Sequence, residues 1–174
     1  METDPLTTLP NRRSLDRNFE KELANAQRNN TATNLIVLDL DRLKEINDTY
    51  GHEAGDRAIR GVASVLRSTV RQQDLCARFA GDEFIVVLWG CDVERENRRV
   101  REIQAAVAAF PFEPRQGVTM SLSISAGAAR CPEDGESFDE LLSAADERMY
   151  RDKATRRSRN SGRHAADKER LGTA

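Results

Sequence analysis

The amino-acid sequence predicts an α+β fold built on an antiparallel sheet. A continuously apolar run at residues 34–40 is too short for a helix and indicates a buried strand. Two more apolar runs, at 75–79 and 84–89, flank a four-residue turn, which is typical of an antiparallel hairpin. Amphipathic helical patterns separate these strands along the chain, so helices must pack against the sheet.

Each strand has its own signal. "NLIVLDL" (34–40) is apolar nearly throughout, as expected for a strand buried on both faces. "LCARF" (75–79) alternates, and "FIVVLW" (84–89) follows it after "AGDE". "VTMSLSISAGAA" (118–129) also alternates and predicts one further strand.

The helices are marked by apolar residues at helical spacing. Such spacing occurs at 11–28, at about 54–70, at 100–110 and from 138 onward. "DTYGHEAGD", before the second of these segments, predicts a polar loop marked by glycine. After about Arg157 the apolar periodicity stops, which predicts the end of the last helix.

The core elements follow in the order strand, helix, strand, strand, helix, strand. This βαββαβ order is that of ferredoxin-like folds. In such a fold the first and third strands are antiparallel neighbours in the centre of the sheet, so the end of 34–40 lies beside the start of 84–89. We therefore expect Asp39 and the Asp82–Glu83 pair to meet at one edge of the sheet.

Length and charge set the organisation of the chain. Its 174 residues suit one domain, which we assign to residues 1–157, with 158–174 as a basic, flexible tail. A net charge of -2 argues against binding nucleic acid through a basic face. The absence of a membrane-length apolar run and of any CxxC pair favours a cytoplasmic location without membrane contact, including as the cytoplasmic domain of a larger protein.

Two interpretations of the Asp82–Glu83 pair are open. In the first, Gly81 and Asp82 serve only the hairpin turn, and Asp39 caps the next helix. In the second, three or four carboxylates, Asp41 among them, converge at the edge and require a cation, because like charges raise each other's pKa. A small number of hard oxygen ligands suits Mg²⁺ completed by phosphate oxygens, and we favour this second interpretation.

Polar residues follow the first strand at regular intervals. Asn47, His52 and Asp56 can each read the edge of a base, and an asparagine with an aspartate matches the acceptors and donors of guanine. A helix cap for Asp56 and plain surface positions for the other two explain the same residues. Lys44 can meet a phosphate or stand in solvent.

Three long motifs connect the sequence to a known family. "DPLTTLPNRR", "DLDRLKEINDTYGHEAGD" and "RFAGDEF" occur in the order and spacing of that family, over about residues 4–157. The chain thereby resembles the GGDEF family, the diguanylate cyclases. The resemblance implies a bacterial signalling enzyme with a palm-type ferredoxin-like core, which condenses two GTP molecules into cyclic di-GMP and two pyrophosphates.

The resemblance also assigns roles to individual residues. It implies Asp82 and its neighbour Glu83 as catalytic carboxylates, and Asp39, the Leu40 carbonyl and Asp82 as ligands of two Mg²⁺ or Mn²⁺ ions per active site with GTP. The substrate contacts that it implies are Asn47 and Asp56 at guanine, His52 as a further contact, and, at the phosphates, Arg42 and Leu43 through their backbone, Lys44, Lys153 and Arg157.

Two departures from the family pattern bear on these roles. The first glycine of the motif is Ala80, which adds one methyl group while Gly81 is kept, and this is compatible with activity. The usual Gly-Arg-Asn ending is Arg156-Arg157-Ser158, which weakens the role implied for Arg157.

A regulatory site is implied upstream of the acidic pair. "RQQD", from Arg71 to Asp74, has the RxxD spacing of the family's product-inhibition site. An arginine at a helix end and a turn aspartate are the alternative interpretation. With this site, cyclic di-GMP would be an inhibitor as well as the product.

The resemblance implies that catalysis needs a second copy of the domain, since two such domains work face to face as a homodimer. Two other functions stay open. One is a domain with weak or lost catalysis that binds cyclic di-GMP or GTP; the other is a polymerase-like or adenylyl-selective transferase on the same palm. The intact acidic residues and guanine readers favour the cyclase.

Overall fold

In the computed structural model, the described residues are 1–171, with side chains as far as residue 161. The elements in chain order are α1 (Arg12–Arg28), β1 (Thr33–Leu40), α2 (Leu43–Tyr50), α3 (His52–Thr69), β2 (Leu75–Ala80), β3 (Glu83–Trp89), α4 (Val93–Ala109), β4 (Phe112–Arg115), β5 (Val118–Met120), β6 (Ile124–Cys131) and α5 (Phe138–Leu171).

The main sheet has the strand order β2-β3-β1-β6, and every neighbouring pair is antiparallel. This is the predicted ferredoxin-like arrangement, and the predicted central pair of β1 and β3 is confirmed. Asp39 lies opposite Glu83 in the register of these strands. The Leu40 amide donates to the Asp82 carbonyl at 2.9 Å, so the backbone itself joins the two acidic segments.

Strand β1 separates two apolar cores. All eight of its residues are buried. Because side chains alternate along a strand, Ile36 and Leu38 face one core, with α3 and α4, while Leu35 and Val37 face the other, with α1 and α5. Burial on both faces explains why this strand is apolar without interruption.

Helix α5 lies very close to β6 because of one glycine. A Cβ atom at Gly127 would stand 2.1 Å from the Ala145 carbonyl oxygen and 2.2 Å from the Met149 nitrogen. Real side chains do not approach backbone atoms this closely, so only glycine fits. The contact fixes the height at which α5 crosses the sheet, and with it the position of the residues that follow Met149.

The segment predicted as a polar loop is helical instead. Residues 43–50 form α2, and α3 begins at His52 rather than near residue 54. The two helices are joined by Gly51 alone, whose φ of 91° is a backbone conformation that favours glycine. The sequence prediction was wrong because α2 is short and buries only Ile46, which leaves no apolar repeat to recognise.

The strand predicted over residues 118–129 is divided. Val118–Met120 pairs with the short strand β4, which the sequence did not predict, and Ile124–Cys131 joins the main sheet. Between them Leu122 is buried, and the Ser123 carbonyl accepts a hydrogen bond from the Asp41 amide at 2.9 Å. The alternation of polar and apolar residues continues through this break, which is why it suggested one strand.

Helix α5 also extends beyond the predicted end at Arg157, since it runs to Leu171. Apolar periodicity marks only the part of a helix that packs on a core, so a helix that continues into solvent loses the pattern without ending. The predicted boundary of the helix is therefore wrong, while the assignment of 158–174 as a tail outside the domain stays a prediction. None of the helices in the described part of the chain is both long and apolar enough for a membrane crossing.

Candidate active site

An acidic edge is formed where β1 ends and β3 begins. Asp39 is 6% exposed, and Glu83 lies opposite it in the register. Burial raises the pKa of Asp39, and the Asp82 and Asp41 carboxylates raise it further, against the effect of a lysine. Burial and then Asp39 likewise raise the pKa of Glu83. The edge therefore concentrates negative charge that the fold alone does not fully neutralise.

The lysine on this edge is Lys153 of α5. Its Nζ lies 2.6 Å from Asp39 Oδ1, and both side chains are largely buried. Burial alone would lower the pKa of Lys153, but the bond to Asp39 and the other carboxylates raise it above its ordinary value. Lys153 thus occupies the place of a counter-ion at the site. Arg157, one helical turn further along α5, is exposed and on the same side of the helix.

The third acid expected at this edge is directed elsewhere. Asp41 accepts hydrogen bonds from Ser123 Oγ at 2.7 Å and from Ser125 Oγ at 2.6 Å, so its carboxylate ties β1 to β6. Among the described residues, no three or more His, Cys, Asp or Glu side chains are grouped as a metal cluster would require. In this structure the two serines therefore hold Asp41, and Lys153 holds Asp39.

The start of α2 forms a cradle of backbone amides beside this edge. Arg42, the N-cap, has a φ of 64°, a left-handed conformation that is rare outside glycine. Its guanidinium donates to both carboxylate oxygens of Glu45, at 2.8 and 2.7 Å. The first intrahelical bond runs from the Ile46 amide to the Arg42 carbonyl, so the amides of Leu43 and Lys44 precede it and face the end of the helix.

The predicted base readers lie on two consecutive helices. Asn47 is in the last turn of α2, and His52 and Asp56 are in the first turns of α3. Asn47 is half-buried, whereas His52 and Asp56 are exposed. The Gly51 corner turns the chain back, so that Gly55, the neighbour of Asp56, lies against Asn47 and Leu43 of α2. Their arrangement leaves the polar groups of His52 and Asp56 open to a ligand.

One residue that sequence reasoning did not single out connects the acidic turn to the start of the chain. Arg78 donates to both carboxylate oxygens of Asp4, at 3.0 and 3.1 Å, and twice to the Gly81 carbonyl, at 3.2 and 2.8 Å. Asp4 in turn accepts from the amide and hydroxyl of Thr7. Arg78 therefore anchors the turn that carries Asp82. Its partner is 74 residues away in sequence, so no local pattern could have identified this role.

The RxxD residues lie at the other end of β3. Arg71 and Asp74 line a cavity of about 440 Å³ together with Trp89 and three arginines of α4, Arg95, Arg98 and Arg99. Asp74 accepts a hydrogen bond from the Trp89 amide at 3.3 Å. Glu83 and the cavity residue Trp89 are the two ends of the seven-residue strand β3, roughly 20 Å apart. The cavity is thus separate from the acidic edge.

Comparisons with known proteins agree with this architecture. The chain matches the family model described as "Diguanylate cyclase, GGDEF domain" over residues 1–159. It is 40% identical over 157 residues to diguanylate cyclase DgcP of Pseudomonas aeruginosa, which amounts to 90% of this chain and 23% of DgcP. The GGDEF domain of TpbB from P. aeruginosa is similar with a TM-score of 0.82 at 35% identity, over 88% of this chain and 90% of that one. The GGDEF domain of DgcB from Caulobacter crescentus, in complex with c-di-GMP, gives 0.82 at 30% identity over the same shares, 88% and 90%.

The sheet order and the acidic edge define a ferredoxin-like α+β domain of the palm type. The family match covers most of the chain, and the chain therefore belongs to the GGDEF family of diguanylate cyclase domains. The chain spans about a quarter of the length of DgcP.

Proposed function

We propose that this domain is a diguanylate cyclase that joins two GTP molecules into cyclic di-GMP. The observation that carries the proposal is the acidic edge. There Asp39 of β1 lies opposite Glu83 of the neighbouring strand β3, and the Leu40 amide donates a hydrogen bond to the Asp82 carbonyl. The raised pKa values of Asp39 and Glu83 indicate a site that is short of positive charge, as a metal-binding nucleotide site would be. Family membership supports the same reaction.

The donors at this edge fit a divalent cation such as Mg²⁺ or Mn²⁺. Asp39, Asp82 and the Leu40 carbonyl offer hard oxygen ligands, and their small number suits ions whose coordination is completed by phosphate oxygens. Two such ions, when bound, would activate the attacking hydroxyl and stabilise the charge on the leaving group. Asp82 would also accept the proton of the attacking hydroxyl, with Glu83 as its acidic neighbour.

The substrate would be held at two ends. Asn47 and Asp56 would read guanine, since a carboxylate accepts from the N1 and N2 hydrogens, and His52 would add a further contact. The amides of Leu43 and Lys44 and the cations of Lys44, Lys153 and Arg157 would bind the triphosphate, because helix N-termini and ammonium groups both attract phosphate. The Lys153 ammonium would exchange its bond to Asp39 for one to a phosphate oxygen as substrate enters.

The chemistry requires two sites. In each half-reaction a 3′-hydroxyl attacks the α-phosphate of the other GTP, a P–O bond forms, pyrophosphate leaves, and the hydroxyl proton is transferred. One domain holds one GTP, so two domains must present their acidic edges to each other about a two-fold axis. Alignment of this kind removes several kcal/mol from a barrier, on the order of the entropy of bringing two reactants together.

Product analysis tests the proposal against its alternatives. We expect the purified domain to form cyclic di-GMP and pyrophosphate from GTP with Mg²⁺, and no cyclic product from ATP. Binding of GTP or cyclic di-GMP without product would favour a binding module. Preferential use of ATP would favour an adenylyl-selective transferase, and equal use of ATP and GTP would contradict guanine selection.

The isolated domain should be more active per molecule at higher protein concentration. The large apolar side chains exposed on the described surface are Met1, Val93 and Tyr150, which lie on separate elements and form no seam for a stable dimer. If monomers must meet, the specific rate should rise with concentration, and fusing a parallel dimeric coiled coil ahead of Met1 should raise it at low concentration. A specific rate that stays flat and high across a wide dilution series would contradict this.

A second role is supported by the cavity at Arg71. We propose that cyclic di-GMP binds there and inhibits, because arginine side chains suit its phosphates and Asp74 can accept from guanine. Since the cavity is distant from the acidic edge, product at this position would hold domains in an unproductive arrangement without blocking GTP directly.

Arg71→Ala should therefore weaken cyclic di-GMP binding about tenfold or more and relieve product inhibition. The initial rate with GTP should not change. Calorimetric titration of cyclic di-GMP and progress curves of the reaction would measure both effects. Arg60→Ala removes an exposed arginine of α3 and serves as the control. If the Arg71→Ala and Arg60→Ala variants bind cyclic di-GMP with equal affinity, the proposed site is wrong.

A further inference from the structure

The corner between α2 and α3 places the side chain of Asn47 against the first turns of α3. Gly51 forms the corner, and its amide donates to the Asn47 carbonyl at 2.8 Å. The chain then turns back on itself, so Gly55 of α3 comes opposite the last turn of α2. Gly55 is buried, although the next residue, Asp56, is exposed.

The Asn47 carboxamide occupies the space that a side chain at position 55 would need. A Cβ atom on Gly55 would lie 1.7 Å from Asn47 Oδ1, 2.8 Å from Asn47 Cγ and 3.3 Å from Leu43 Cδ1. The first two distances are shorter than atoms in real structures allow. Any residue larger than glycine at this position must therefore displace the Asn47 side chain.

Backbone conformation does not explain this glycine. Gly55 lies inside α3 with ordinary helical geometry, where alanine is the more stabilising residue and glycine weakens the helix. Gly51 is the contrasting case, since its φ is 91° and a Cβ there would meet nothing within 4 Å. Glycine at 51 serves the turn, whereas glycine at 55 serves the close approach of Asn47.

We propose that Gly55 is a positioning residue for base selection. By leaving room for the Asn47 carboxamide, it holds that group beside the helix that carries Asp56, so that the two side chains meet one base edge together. The inference rests on the proposed function, in which Asn47 and Asp56 read guanine. A group misplaced at a base edge leaves a polar partner without its hydrogen bond, which reduces selectivity more than it reduces overall binding.

The test is the preference for guanine over adenine in binding, measured without turnover. The α,β-methylene analogues of GTP and ATP would be titrated calorimetrically, with Mg²⁺, into the wild-type protein and Gly55→Ala. We expect the guanine preference to fall about tenfold or more in the variant. The melting temperature should stay the same or rise, because alanine favours the helix. A merely structural role would instead lower the melting temperature and leave the preference unchanged.

Two further variants identify the route of the effect. Gly61→Ala makes the same change on the same helix, but its Cβ would lie 2.6 Å from Phe110 Cε1, so it should alter packing and leave the base preference unchanged. In an Asn47→Ala background, where the clashing group is gone, Gly55→Ala should cause no further loss of preference.

The proposal is overturned if Gly55→Ala keeps the wild-type preference, or if the loss is equally large in the Asn47→Ala background. A wild-type protein that prefers the guanine analogue but makes no cyclic di-GMP would contradict the proposed cyclase and leave this inference supported by the binding ratios. A wild-type protein with no preference for guanine would contradict both.

Discussion

Replacing Asp82 with asparagine should abolish cyclic di-GMP synthesis and leave the fold intact. The substitution keeps the shape of the side chain and the backbone carbonyl that accepts the hydrogen bond from Leu40. It removes the negative charge that would bind a cation and accept a proton. Loss of these two contributions should lower the rate by about 10³-fold or more. Product formation from GTP with Mg²⁺, measured by chromatography, provides the test.

Stability gives an independent check on the same variant. Asp82 helps to raise the pKa values of Asp39 and Glu83. A carboxyl group whose pKa is higher in the folded state than in the unfolded state costs stability once the pH has risen above its unfolded value. Without the charge at position 82 this cost decreases, so metal-free Asp82→Asn should melt at or above the wild-type temperature at neutral pH, and the difference should vanish below about pH 4.

The matched control is Asp16→Asn, which removes an exposed carboxylate of α1 that is not part of the acidic edge. It should keep wild-type turnover. Appreciable synthesis by pure, folded Asp82→Asn protein would show that the acidic edge is not the catalytic centre. A lower melting temperature with lost activity would mean that the carboxylate holds the fold together.

The fold was predictable from the sequence because its signals are local. The apolar run of β1 and the tight hairpin around "AGDE" fix three strands, and their order then forces the end of β1 to meet the start of β3. The order of these strands alone predicts that Asp39 lies beside Asp82 and Glu83. Helix α2 and strand β4 were not predicted, because each is short and buries few side chains, so neither leaves a periodic pattern in the sequence.

The contacts that complete the site could not be predicted in the same way. Lys153 reaches Asp39 across 114 residues of sequence, and its geometry depends on how closely α5 approaches β6. The serines that hold Asp41 lie where β5 ends and β6 begins. The alternation of polar and apolar residues continues through this break, so the sequence does not reveal it. Motif resemblance implied a phosphate contact for Lys153, but its bond to a buried carboxylate follows only from three-dimensional packing.

Replacing Gly127 with alanine should damage both the stability and the activity of the domain. The added methyl group would overlap backbone atoms of Ala145 and Met149, at 2.1 and 2.2 Å, and a helix backbone cannot move aside as a side chain can. Overpacking of this kind costs about 1–3 kcal/mol, and here the value should reach or exceed the upper end. Urea denaturation of the metal-free protein would measure the loss. Ala128→Ser, which adds one atom to the opposite face of β6, should cost less than about 1 kcal/mol.

The activity of Gly127→Ala tests how the helix serves the site. Lys153 lies one turn after Met149, so a shift of α5 away from the sheet should separate its Nζ from Asp39, now 2.6 Å distant. The loss of activity should then be shared with Lys153→Ala: the double variant should be no less active than Lys153→Ala alone, because both changes remove the same contact. The loss of stability should remain in full in the double variant. If the two losses of activity instead multiply in the double variant, the close packing of α5 on β6 must serve the site through a group other than Lys153.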